Sequence, residues 1–357
     1  MSRVTFVLPH RGSAGAIRVT VDLATELMNR GHQVRIAYRT EGQFSRTSVI
    51  AGAKRLLRSL QGSGTFDWLD TYQGSVERFQ DLRELTFADG EIAIAVAQDT
   101  VRDVYLLPAE VHKLRYCHGF HDHLPEPNEL ASGDAIPTIS VSNGLLPRVR
   151  QLRGVQVLGV VPNGIKRSDY YLESRMRDGI GMIFHEIPIK GPQVAKAIIA
   201  ATKERHPEVP WHMFGTSRRP GEFQRSEYHQ YPSISKGREV YNRCKIWLVT
   251  SRDEGFCLPI LEAMACGCAV ITSNHTAAGD LIDNGVNGFI VPYGEVDAYL
   301  EKIQLLLNSE PLRQQIVSRG LSTAAQFTWE RAAERMEEVF DQLVRDTVQT
   351  NELAPTL

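Results

Sequence analysis

Apolar strand-like runs and amphipathic helical segments alternate along nearly the whole chain, and this alternation leaves few folds open. Residues 4–8 are a short apolar run. Residues 16–30 read as a helix with Val19, Leu23, Leu27 and Met28 on one face, and residues 33–38 as a second strand. Gly31 stands where a glycine ends a helix. Further strands are expected at 92–97, 113–117 and 137–141. The periodicity lapses between residues 163 and 178. A second series then begins at 180–184 and continues through helix 192–203, strands 211–214 and 245–251, helix 259–266 and strand 269–273. Helices 310–326 and 329–345 close the chain. Strands joined through helices pair in parallel and are covered on both faces, so the fold class is α/β with doubly wound sheets. A length of 357 residues fits two such domains.

Composition excludes several other classes. Hydrophobic residues make up 42% and charged residues 23%, and the net charge of −2 gives no general attraction to nucleic acid. No apolar run approaches the ~20 residues that span a bilayer. Residues 3–8 are too short for a secretory segment and read as the first strand. The five cysteines, at 117, 244, 257, 266 and 268, form no CxxC pair and are expected as small buried residues in a reducing cytosol. Residues 40–89 are less regular. Within them the basic amphipathic stretch 54–58 is either a solvated helix or a peripheral contact to anionic lipid.

The chemistry concentrates in residues 244–267. A buried strand runs into a short loop, Glu254-Gly255-Phe256-Cys257-Leu258, and then a helix opened by Pro259. The N–H groups of Gly255, Phe256 and Cys257 would point at an anion, and the helix dipole favours it. Glu254 on the loop and Glu262 about two turns into the helix would hold hydroxyl groups at either end of the ligand. An anion with hydroxylated groups on both sides describes a nucleotide-diphosphate sugar. Lys190-Gly191-Pro192 sits at another strand-to-helix junction, with Lys190 placed to take a diphosphate oxygen as a point charge. In the first half, Gly12-Ser13-Ala14-Gly15 is a glycine loop that either admits a ligand or is a plain tight turn. His118, His121 and His123, with Asp122 and Glu126, are also checked as metal ligands; no metal site is expected.

The segment 254–267 resembles the E-x7-E signature of retaining glycosyltransferases of the GT-B fold, the large family described as glycosyl transferases group 1 or glycosyltransferase family 4-like. Residues 269–273 and 285–292 resemble the family's next strand, turn and strand. Residues 161–165, with Asn163, resemble its interdomain signature, and Lys190-Gly191 its phosphate-binding lysine. The resemblance covers residues 160–345 closely and 1–160 more loosely. Two positions depart from it: Cys257 stands for a common glycine, and His185 for the arginine five residues before the lysine.

The resemblance implies two Rossmann-like domains facing across a cleft. Residues 1–163 would bind the acceptor, 164–330 the nucleotide sugar, and the helix in 331–357 would cross back onto the first domain. It places Glu254 on the donor sugar, Glu262 on the ribose, Gly215 beside the base and His118 near the reacting sugar. Asn163, His185, Gly255, Phe256, Cys257 and Leu258 complete the donor site, and Gly12, Ser13 and Gly15 face the acceptor and diphosphate. The implied reaction moves a sugar to a hydroxyl of a glycan, lipid-linked or small-molecule acceptor. It needs neither a cofactor nor an enzyme nucleophile, in the cytoplasm or at the inner face of the membrane. The readings weighed against it are a non-catalytic accessory subunit that binds sugar nucleotide or glycan, a phosphorylase, and an epimerase.

Overall fold

The computed structural model describes residues 1–40, 67–120, 135–223 and 226–352. His121, Asp122, His123 and Glu126, weighed and not favoured as metal ligands, and the basic stretch 54–58 lie outside these residues. The described chain is α/β, with a parallel sheet flanked by helices in each of two units. One unit comprises Met1–Pro162 together with Trp329–Leu357, the other Asn163–Thr328.

The first unit carries β1 (Arg3–Leu8), β2 (Gln33–Arg39), β3 (Ser75–Phe79), β4 (Ile92–Ala95), β5 (His112–Cys117), β6 (Thr138–Ser140) and β7 (Val157–Val160). Their order is β3-β2-β1-β4-β5-β6-β7. The second carries β8 (Gly179–Phe184), β9 (Trp211–Gly215), β10 (Glu227–Gln230), β11 (Cys244–Val249), β12 (Ala269–Ser273) and β13 (Phe289–Val291), ordered β10-β9-β8-β11-β12-β13. Both orders reverse direction beside the first strand of the unit, between β1 and β4 and between β8 and β11. In open α/β sheets, ligands bind beyond the carboxyl ends of the strands at such a reversal.

The central strands are apolar because both their faces are covered. In the second unit Ile180, Met182, Phe184, Ile246, Leu248 and Ile271 are buried in one core with Trp211 of β9 and Tyr299 of the helix Val296–Asn308. In the first, Val7, Ala37, Ala93 and Ala95 pack beneath Val101 and Val104 of the helix Gln98–Tyr105. The strands not expected from the sequence, β3, β7 and β10, lie at sheet edges, β7 despite its apolar run Val157-Leu158-Gly159-Val160. An edge strand is half exposed and needs no apolar run: in β3 only Phe79 is buried, and in β10 no residue is. Two expected strands end early. Residues 96–97 leave β4 to start the next helix, and Thr250 and Ser251 lie beyond β11.

The last helix, Trp329–Glu352, belongs to the first unit, as the resemblance implies. Trp329, Ala333, Met336, Phe340 and Leu343 are buried on it at spacings of three and four, the apolar stripe of a docked helix. Arg30, at the end of the helix Gly15–Asn29, grips Glu337 with two hydrogen bonds of 3.0 and 2.7 Å. His32 meets the same carboxylate at 3.0 Å and lies edge-on to Phe340. Replacing the buried Phe340 with alanine should lower stability by about 3–5 kcal/mol, read by urea unfolding; a loss under about 1 kcal/mol would mean that the helix is not docked through this ring.

Candidate functional site

The second unit assembles its polar side chains where β8 and β11 end side by side. The two strands are paired in parallel, with Trp247 opposite Gly181 and Leu248 opposite Met182. Their connections therefore leave from the same edge of the sheet. The connection after β8 carries His185 and then a tight turn, Pro188–Lys190. The connection after β11 carries Ser251, Asp253 and Glu254 and runs into the helix Leu258–Ala265.

These two connections are bound to each other. Arg252 N–H donates to the Ile189 carbonyl at 2.7 Å, and the Thr250 hydroxyl to the Lys190 carbonyl at 3.0 Å. Gly191 closes the first turn with a left-handed backbone, φ +66°, and a Cβ there would stand 2.1 Å from the Thr250 carbonyl oxygen. Only glycine fits this position.

Lys190 Nζ then lies 2.7 Å from Glu254 Oε1, and the Ser251 hydroxyl donates to the same oxygen at 2.6 Å. Burial disfavours the Lys190 charge, but the Glu254 carboxylate outweighs it and raises the pKa above the usual lysine value. The side chain of Lys190 keeps 32% of its surface exposed, against 14% for Glu254, so the ammonium is the more accessible partner. His185 stands in the field of both and is hydrogen-bonded through Nδ1 to the Thr216 hydroxyl at 3.0 Å. Burial, with Lys190 adding to it, pushes its pKa down to about 4. His185 is therefore a neutral imidazole near pH 7 and brings no second positive charge. Gly215 pairs with Phe184 at the end of β9, where a Cβ would meet the Phe184 carbonyl at 2.0 Å, and this close approach sets Thr216 beside His185.

The loop before the helix is strained at one residue. Cys257, the position where the resembling family has glycine, adopts φ +77° and is buried. A left-handed backbone costs an L-residue about 1–2 kcal/mol. Phe256 is buried and packs edge-on against Phe327, while Gly255 and Leu258 remain partly accessible. Inside the helix, Glu262 is only 4% exposed, and the Tyr241 hydroxyl donates to its Oε2 at 2.8 Å. Asn163 is buried at the start of this unit.

The remaining expected residues belong to the first unit. His118 follows β5, lies with its ring 4.1 Å from that of Tyr116 and tilted to it, and has its Nε2 buried without a hydrogen-bond partner; burial lowers its pKa to about 4. Gly12 has φ +144°, and its carbonyl accepts from Trp68 N–H at 3.2 Å. The Ser13 carbonyl accepts from the Trp68 indole at 3.3 Å. Gly15 has an ordinary backbone, and a Cβ at either glycine would meet open space. Packing forces neither position to glycine, but the positive φ of Gly12 does.

Sequence reasoning missed Ser251, Tyr241 and the Asp253–Thr276 hydrogen bond. The polar Thr250-Ser251 end of an otherwise apolar strand was the available signal for the first. Tyr241 gives none, because its partner lies in another element. Among the described residues no three His, Cys, Asp or Glu side chains form a metal-binding group, and no helix is long and apolar enough to cross a membrane. All five cysteines are buried and unbridged.

With this geometry in hand, comparison with known proteins places the site in context. Residues 190–323 match the family model described as Glycosyl transferases group 1. An uncharacterized glycosyltransferase of Methanocaldococcus jannaschii is 31% identical over 111 residues, 31% of this chain and 32% of that protein. The capsular polysaccharide biosynthesis glycosyltransferase CapM of Staphylococcus aureus is 36% identical over 102 residues, 27% of each. The chain thus spans about a third or less of the length of these curated relatives. Among solved structures, Anabaena HepE in complex with UDP and glucose superposes with a TM-score of 0.76 at 17% identity, covering 95% of this chain and all of that one. This likeness establishes the GT-B fold.

Gly191→Ala should cost on the order of 2–4 kcal/mol, from the left-handed backbone together with the clash on Thr250. Chemical denaturation measures it, and unchanged stability would show that the turn carrying Lys190 is not held as described.

Proposed function

We propose that the chain is a retaining glycosyltransferase that moves a sugar from a nucleotide-diphosphate sugar to an acceptor hydroxyl in glycan, glycolipid or glycosylated-metabolite synthesis. The observation that carries the proposal is the convergence of Lys190, Ser251 and Glu254 at the reversal between β8 and β11, beside a helix N-terminus. The match of residues 190–323 to glycosyl transferases group 1 spans these residues, and the GT-B neighbour HepE carries UDP and glucose.

In this reading the second unit binds the donor. Lys190 exchanges Glu254 for a diphosphate oxygen, and the N–H groups at the start of the helix Leu258–Ala265 add to the anion site. Glu254, released from Lys190, accepts hydroxyl groups of the donor sugar, and Glu262 those of the ribose. Gly215 borders the base, and His185 contacts phosphate as a neutral hydrogen-bond partner. The bond between the anomeric carbon and the diphosphate breaks, the acceptor oxygen bonds to the same face of that carbon, and its proton passes to the departing diphosphate. The first unit binds the acceptor, with Gly12, Ser13 and Gly15 facing it and His118 orienting the sugar. Cofactor and metal are not needed, and the enzyme works in the cytoplasm or at the inner face of the membrane.

A second reading has one observation behind it. Neutral His185 leaves Lys190 as the cation of the cluster with Glu254, which suits a subunit that binds sugar nucleotide without turning it over.

Incubation with separate nucleotide sugars, without acceptor, tests both readings through thermal shift and slow release of nucleoside diphosphate. One donor is expected to stabilise the protein and be hydrolysed, and Lys190→Ala or Glu254→Ala should lower turnover by about 100-fold or more while the fold persists. Stabilisation without release, even with a mixture of acceptors, would favour the binding subunit. No response to any donor would refute the donor site.

A further inference from the structure

Glu262 is a carboxylate buried in a helix, and the residue that meets it has no part in the expected site. Tyr241, near the end of the helix Ile234–Arg243, is fully buried, and its hydroxyl donates to Glu262 Oε2 at 2.8 Å. The ring is fixed by Trp247 at 4.2 Å, Phe214 at 5.4 Å and Tyr170 at 6.0 Å. Its backbone carbonyl is fixed as well, accepting from the Cys268 thiol at 3.1 Å and from Arg177 at 3.4 Å. A side chain held from this many directions has one orientation to offer, and its single polar atom is aimed at one oxygen of Glu262. Taking a carboxylate out of water is costly unless its lone pairs are met, and a hydrogen bond from a rigid donor both offsets that cost and fixes the rotamer.

We propose that Tyr241 is a positioning residue of the donor site, holding the Glu262 carboxylate in the orientation that accepts the ribose hydroxyls of the nucleotide. The inference rests on the nucleotide-sugar reading above. Burial, reinforced by Glu262, holds the Tyr241 hydroxyl well above the usual phenol range, so it remains a donor throughout the working pH range. Tyr241 touches neither sugar nor phosphate in this scheme. Its effect reaches the ligand through Glu262 and is confined to the ribose hydroxyls, unlike the effect of a residue that merely supports the fold.

The test is isothermal titration with the nucleoside diphosphate among UDP, GDP and ADP that binds the wild-type protein most tightly, beside its 2′,3′-dideoxy analogue. Tyr241→Phe removes the hydroxyl and keeps the ring. It should weaken the ribonucleotide about tenfold and change the dideoxy analogue less than about twofold, the loss expected for one charge-assisted hydrogen bond. In a Glu262→Ala background the same substitution should weaken the ribonucleotide no further. Equal weakening of both ligands, or an equal drop in both backgrounds, would overturn the proposal in favour of a purely structural role. If Glu262→Ala weakens the ribonucleotide and Tyr241→Phe does not, the positioning role alone fails. If Glu262→Ala binds as the wild-type protein does, the nucleotide reading of Glu262 fails as well. Should Tyr241→Phe not fold, Glu262→Gln keeps the shape and weakens the bond from the other side. It should then lower the preference for the ribonucleotide over the dideoxy analogue, and an unchanged preference overturns the proposal.

Discussion

The parallel pairing of β8 with β11 is the constraint on which the candidate site depends. Both strands end at the same edge of the sheet, and the chain leaves one toward β9 and the other toward β12. That divergence opens room beyond the strand ends and lines it with the two connections that carry Lys190 and Glu254. The close approach of Gly191 to the Thr250 carbonyl locks the connections together, so the positions of the lysine and the carboxylate are set by backbone.

The electrostatics follow from this placement. At a 2.7 Å separation in a partly buried setting, Lys190 and Glu254 neutralise each other, and Ser251 supplies a further hydrogen bond to the same carboxylate oxygen. A diphosphate carries at least two negative charges and has more to offer the ammonium than a single carboxylate does. It also frees Glu254 to accept hydroxyl groups. The site is thus held closed on itself by an interaction that its proposed ligand replaces. His185 stays neutral because burial and Lys190 both oppose a second positive charge. In the proposed complex the diphosphate would meet Lys190 and the backbone N–H groups at the start of a helix that is preceded by the strained Cys257.

Much of this was legible in the sequence, for identifiable reasons. The central strands are continuous apolar runs because parallel sheets are buried on both faces, and β1, β8 and β11 could be read directly. The segment 254–262 could be read because a loop, a proline-opened helix and two carboxylates form one contiguous pattern. The edge strands β3 and β10 could not, since half-exposed strands carry mixed residues, whereas β7, Val157-Leu158-Gly159-Val160, is a short apolar run that was missed. Pairings between elements were equally hidden. The resemblance assigned Lys190 and Glu254 to one donor site, but their direct contact, across 64 residues, follows only from the strand order. Tyr241 meets Glu262 across 21 residues, through a helix and a strand that must first pack. For Gly15 the sequence pattern exceeded what backbone and packing demand, whereas Gly12 is held to glycine by its φ of +144° although a Cβ there would meet open space.

The most direct measurement is a crystal structure of the protein with a nucleoside diphosphate bound. Lys190 Nζ is expected to leave Glu254 Oε1 and lie within hydrogen-bond distance of a phosphate oxygen, with the ribose hydroxyls on Glu262. A diphosphate bound away from Lys190, with the Lys190–Glu254 pair still closed, would contradict the exchange on which the proposed chemistry rests.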